Sequence, residues 1–195
     1  DAGVHAISQS AHFDTKIKIL DINRFLNRLN FLLNRSMISI LNIKKRNEKF
    51  HSRYSAKARI YQYIILNRES VPTINKNRVW HIRKKINLKN IKRGAKFLVG
   101  KKDFSTFRAS SCSAKSPIRT LEKVNILKKK NQIFIEFRSR SFLQTQVRSM
   151  VGCLKYLGEG KWDLKKFKNV TLSKKRIFCA PPAPPSGLFL KKVIY

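Results

Sequence analysis

The chain has 195 residues, enough for one large domain or two small ones with a real core. Hydrophobic residues make up 42%, which argues against a disordered chain, while 44 Lys and Arg against 10 Asp and Glu give a formal charge of +34. Such a chain repels itself unless a polyanion neutralises it, so nucleic acid is the first partner expected; the plain alternative is a Lys-, Asn- and Ile-rich composition with a solvated lysine surface.

Other partner classes fall away quickly. The longest apolar runs, such as 63–66, are far too short to span a bilayer, so no membrane partner is expected. Cys112, Cys153 and Cys179 are odd in number and form no CxxC pair. That argues against a disulfide framework and for a reducing, cytoplasmic setting. His5, His12, His51 and His81 are scattered without metal-ligand spacing, so no metal is expected.

In chain order, residues 4–13 read as an extended segment. Asp21 suits the cap of a helix with an apolar stripe at Ile22, Phe25, Leu26, Leu29, Leu32 and Leu33. Residues 37–43 resemble a short strand, and 58–66, dense in Ile and Tyr, a stronger one. A connection with Pro72 follows, then a helix over 88–99 stopped by Gly100. Residues 121–127 and 132–137 alternate around a turn at 128–131 and predict a hairpin. A helix is expected over 142–157, stopped by Gly158, and a short one from Asp163. Residues 180–186 are Pro-rich and irregular, and 188–194 closes with a strand. Strands and helices alternate in two unequal runs, which suggests an α+β protein with two sheet layers.

No P-loop, GxGxxG, GxSxG or paired-carboxylate motif is present. With ten acids the choice of a catalytic carboxylate is narrow. Asp14 and Asp21 suit turns and caps, and Glu122 and Glu136 fall in the hairpin. Asp1 opens Asp1-Ala2-Gly3-Val4-His5, a tight turn feeding a strand, where turn preference and chemistry both account for it. Phe104-Ser105-Thr106-Phe107-Arg108 either grips a phosphate and stacks a base or plugs a core. Arg119 begins a strand after Pro117. Arg148 sits within an apolar helix pattern and either meets an anion or snorkels to solvent.

Several segments carry a joint pattern: Asp1-Ala2-Gly3-Val4-His5 with Ala11-His12-Phe13; Phe50-His51-Ser52-Arg53-Tyr54-Ser55-Ala56; Arg59-Ile60-Tyr61-Gln62-Tyr63; Asp103 through Arg108; Lys115-Ser116-Pro117-Ile118-Arg119-Thr120; Phe142 with Val147-Arg148 and Val151-Gly152; and Ala180-Pro181 leading to Gly187-Leu188-Phe189-Leu190. Each is weak alone. Their order along nearly the whole chain is specific, and together they resemble one family, the TruA-type tRNA pseudouridine synthases.

The resemblance implies an isomerase that turns uridine into pseudouridine in the tRNA anticodon stem-loop, at tRNA positions 38, 39 and 40, without any cofactor. Asp1 would be the nucleophile, attacking base or sugar or removing a C2′ proton. Tyr61 would stack on the target uracil, though a strand tyrosine is equally ordinary core filling. Arg148 would pair with Asp1 and keep it ionised. Leu188 would line a dry slot for the extruded base. Phe104, Arg108, Arg119 and His51 would bind substrate.

The implied fold is two RNP-like α+β halves, 1–86 and 87–195, around a basic cleft, in a homodimer. Family members carry a segment before the Asp, with a Gly-Arg-Thr stretch whose Arg contacts RNA. None of it is present here, so an N-terminally truncated chain is expected, with one sheet incomplete and poor folding or inactivity alone. The competing expectation is a basic RNA-binding or ribosome-associated protein without chemistry, which charge and aromatics also permit.

Overall fold

The computed structural model describes residues 2–195; Asp1, the expected nucleophile, lies outside the described residues. The chain divides into two compact units, Ser10–Ser55 and the remainder, in which Ala56–Tyr195 joins the N-terminal residues up to Gln9.

Ser10–Ser55 contains one regular helix, α1 (Ile22–Leu33). Asp21 caps it as its side chain accepts the Arg24 N–H at 2.9 Å, which meets one of the donors a helix start leaves open. No residue of this unit is buried. The strand expected over 37–43 does not form. The Asn30 side chain instead bonds both backbone groups of Ile40, donating to its oxygen at 3.0 Å and accepting from its nitrogen at 2.7 Å. An amide side chain thus takes the place of a neighbouring strand.

The larger unit is built on β2 (Ala58–Asn67). Its Ile and Tyr content suits a strand buried among neighbours. It runs antiparallel to β6 (Gln132–Ser139) on one side and to β7 (Leu188–Ile194) on the other. From β6 the sheet continues through β5 (Ile118–Lys129) to β4 (Gly100–Asp103). β1 (His5–Ala6) adds in parallel beyond β7, and β3 (Trp80–Ile82) pairs in parallel with β2. The sheet is therefore mixed, and the order is β1-β7-β2-β6-β5-β4.

The two sheet layers expected from the sequence are one sheet, because β2 and β6, from the two runs, pair along their length. That pairing also spans the expected boundary at 86/87. Regular strand in the first segment is confined to His5–Ala6, after which the Ile7 and Ser8 N–H groups both turn onto the Leu190 oxygen, at 2.9 and 3.4 Å, and the ladder ends.

Three helices, α2 (Leu88–Leu98), α3 (Gln146–Gly158) and α4 (Leu164–Leu172), pack on one another over the sheet. Tyr63, Ile65, Leu121, Ile133, Ile135 and Phe137 face Ile91, Leu98, Met150, Val151 and Leu154 in a continuous apolar core. α3 starts four residues later than expected. Thr145 adopts φ 61, a left-handed conformation that a β-branched residue resists and that a helix cannot contain. β3 and β4 were not visible as strands, being three and four residues long.

Asn67, at the end of β2, fixes the path from β3 into α2. Its amide donates to the oxygens of Ile82 and Lys84, each at 2.8 Å, and accepts the Ile86 N–H at 3.1 Å. At about 1 kcal/mol net per bond, Asn67→Ala should lower unfolding stability by roughly 2–3 kcal/mol. Exposed Asn125→Ala should stay within about 0.5 kcal/mol. Urea unfolding compares the two, and equal midpoints would contradict the role given to Asn67.

Candidate active site

The piece that gathers the expected site residues is the loop 180–187. Pro181, Pro182, Pro184 and Pro185 have no N–H, so within 181–185 only Ala183 offers a backbone donor. That N–H donates to the Arg148 carbonyl at 3.0 Å. In return Arg148 Nε donates to the Ala183 carbonyl at 2.7 Å. The next carbonyl, Pro184, accepts from the Tyr63 hydroxyl at 2.7 Å.

Close approach makes these bonds possible. Gly152 lies one helical turn beyond Arg148, on the same face of α3. A Cβ there would sit 2.1 Å from the Pro181 oxygen, so only glycine lets the loop lie against the helix. Gly187 plays the same part against β2, where a Cβ would meet the Tyr63 ring at 2.7 Å.

The N-terminal turn reaches this loop as well. Gly3, at φ 78, would bring a Cβ within 3.1 Å of Pro185 Cγ. The turn is held by β1: His5 pairs with Phe189, its ring stacks on that residue at 4.9 Å, and its Nε2 donates to Asn77 at 2.8 Å. The turn meets the loop at Pro185 and Arg148 meets it at Ala183, two residues apart.

Arg148 is half-buried, and burial lowers its pKa from the ordinary guanidinium range, with the nearby Tyr63 phenol acting the other way. Tyr63 is fully buried, and desolvation pushes its phenol well above the ordinary tyrosine range. It stays a neutral donor to Pro184. Tyr61 is the tyrosine expected at the site from the sequence, yet it is Tyr63 that bonds the loop. Both stand on the helix-covered face of β2, and nothing in the Arg59–Tyr63 motif says which of them holds the loop.

Tyr61 is half-buried, one step along the same face, opposite Leu190 on β7 and Phe137 on β6. Phe142 stands edge-on to its ring at 5.2 Å, and burial raises its phenol pKa. Leu188 is buried opposite Tyr63 and makes an apolar wall. Arg148, Tyr61, Leu188 and the turn before Val4 are thus assembled on α3, β2, β7 and the one loop.

The remaining expected positions have partners of their own. Phe104 is a correction: it is 1% exposed, sits in the core against Phe107, and has no face to offer a base. The 3-10 turn Ser105–Phe107 buries both rings, so the motif plugs the core. Arg108 folds back on its own loop and donates to the Cys112 oxygen at 2.5 Å. Arg119 donates to Ser116 and Ile118 oxygens at 2.9 and 2.7 Å. His51 belongs to Ser10–Ser55, where its Nδ1 accepts the Arg53 N–H at 3.0 Å and its ring lies 4.3 Å from both His12 and Tyr54.

A family model described as tRNA pseudouridine synthase matches residues 95–195, the stretch holding Arg148, the loop and Leu188. The tRNA pseudouridine synthase A of Pelagibacter ubique is 63% identical over 195 residues, covering all of this chain and 79% of that protein. This chain belongs to the tRNA pseudouridine synthase family. Proteins of the same name from Bartonella tribocorum and Anaplasma marginale are 45% and 39% identical, with all of this chain and 79% of each relative covered. The family's chemistry is the isomerisation of uridine to pseudouridine in tRNA.

A guanidinium whose Nε is tied to a backbone carbonyl has its fork set in direction. Arg148→Ala removes both the charge and the tie to the loop, whereas Arg148→Lys keeps the charge. Turnover should therefore fall on the order of 10²-fold or more for Ala and less for Lys. Single-turnover rates on tRNA measure this, and unchanged turnover in Arg148→Ala would remove the residue from the site.

Proposed function

We propose that this isomerase acts on uridines of the tRNA anticodon stem-loop, at tRNA positions 38–40, with Asp1 as nucleophile and Arg148 as its charge partner. The observation that carries the reading is the shared loop: the N-terminal turn passes close to it at Pro185, and Arg148 bonds it two residues earlier at Ala183. A nearby guanidinium favours the ionised carboxylate and lowers its pKa, which readies it near neutral pH.

In this mechanism the N1–C1′ bond breaks, the uracil turns, and C5 joins C1′ as the C5 proton leaves. Tyr61 stacks on the extruded base and Leu188 lines the slot, replacing the stacking the base gives up in the RNA. The charge of +34 supplies sequence-independent attraction to phosphates. With about six phosphates neutralised, log–log salt dependence would have a slope of roughly −4 to −5. The same reading takes Arg108, Arg119 and His51 as RNA contacts. It includes two RNP-like halves, 1–86 and 87–195, on a shared sheet about a basic cleft. It also assigns a homodimer and a cytoplasmic setting.

The test uses tRNA tritiated at uridine C5. The protein should release label to water, and Asp1→Asn should abolish release while keeping most tRNA affinity. Binding without release by the unmutated protein would favour a non-catalytic RNA-binding protein. Affinity lost in step with activity would make Asp1 structural.

A further inference from the structure

Two cysteines flank the loop contact without taking part in it. Cys153 follows Gly152 on α3, and Cys179 immediately precedes Ala180. Their sulfur atoms lie 3.5 Å apart, and both thiols are free. A disulfide needs about 2.05 Å, so the two sulfurs must close by roughly 1.5 Å.

The surroundings of the pair are those of a reactive thiol beside a resolving one. Cys153 is fully buried, while Cys179 is partly exposed. Arg176, three residues before Cys179, donates from Nη1 to Ser149 Oγ at 2.7 Å. The hydrogen bond from Cys153, then the Arg176 charge and Ser149, hold the Cys179 thiol below its ordinary range against the effect of burial. Cys153 moves the other way, through its bond to Cys179 and then burial. A thiolate beside a cation, on a residue that is not fully buried, is the form that attacks peroxides.

We propose that Cys153 and Cys179 form a modification site, a dithiol that a hydroperoxide converts to a disulfide, tethering the root of the 180–187 loop to α3. The Cys179 thiolate attacks the peroxide oxygen, breaking the O–O bond and leaving a sulfenic acid and an alkoxide or hydroxide. That base takes the Cys153 proton. The Cys153 sulfur then attacks Cys179 and expels hydroxide, which the surroundings protonate to water. Two thiols lose two electrons, and one peroxide is reduced to an alcohol, or water, plus water. Without the bond the loop is held by the Arg148–Ala183 pair and the Tyr63–Pro184 bond. With it, a covalent closure of 26 residues is added.

The experiment treats the protein with hydrogen peroxide and counts free thiols after denaturation. The count should fall from three to one and return to three with dithiothreitol. Peptide mapping should join 153 to 179 and leave Cys112 free, and the oxidised protein should melt a few degrees higher. In Cys153→Ala, peroxide should carry Cys179 on to the sulfinic acid. Three thiols surviving, a bond that includes Cys112, or cross-linked chains would each overturn the proposal.

Discussion

Arg148 and Ala183 hold each other by both backbone and side chain, and the rest of the site hangs on that pair. A stretch with four prolines in five residues has almost no donors with which to anchor itself. Its one N–H is spent on α3, and the guanidinium of the same α3 residue returns a bond to the adjoining carbonyl. The loop then needs only clearance, which Gly152 and Gly187 provide, and a second post, which is the Tyr63 hydroxyl. None of these groups need touch a substrate. They determine where the groups that do will stand.

The same arrangement decides the electrostatics. A half-buried cation is costly unless its donors are met. Tying Nε to a carbonyl that is itself fixed lets the fold keep a positive charge at the loop's inner side. The N-terminal turn is carried to the same loop by β1, whose pairing with β7 is only two residues long and is reinforced by the His5 contacts to Phe189 and Asn77. The N-terminal turn and the helix that bears Arg148 thus come to one loop from distant parts of the chain. The excess of basic residues elsewhere acts at longer range, on the RNA backbone.

Much of this was legible in the sequence where a period or a cap carried it. The apolar spacing of α1 and the Asp21 cap, the dense β2 and the alternation of β5 and β6 each match the structure to within a few residues. What failed had a local physical cause. Residues 37–43 have strand composition but meet only the Asn30 side chain. β3 and β4 are too short to show a period and exist because β2 and β5 offer them edges. Thr145 breaks an otherwise helical pattern by a backbone torsion that its side chain disfavours. At the site, Arg148 stood out, but Gly152 did not, and Phe104 read the same whether it stacked a base or filled a core; only burial decided it. Tyr63 was hidden by Tyr61, since period two places both on one face.

If Asp1 and Arg148 act as one unit across the loop, the guanidinium holds the carboxylate ionised, and the pH dependence of single-turnover tritium release shows it directly in the unmutated protein, Arg148→Lys and Arg148→Ala. Losing the neighbouring cation lets the carboxylate pKa rise, so the acid limb of Arg148→Ala should move to higher pH, and that of Arg148→Lys should move less. An acid limb at the same pH in all three proteins would contradict the pairing.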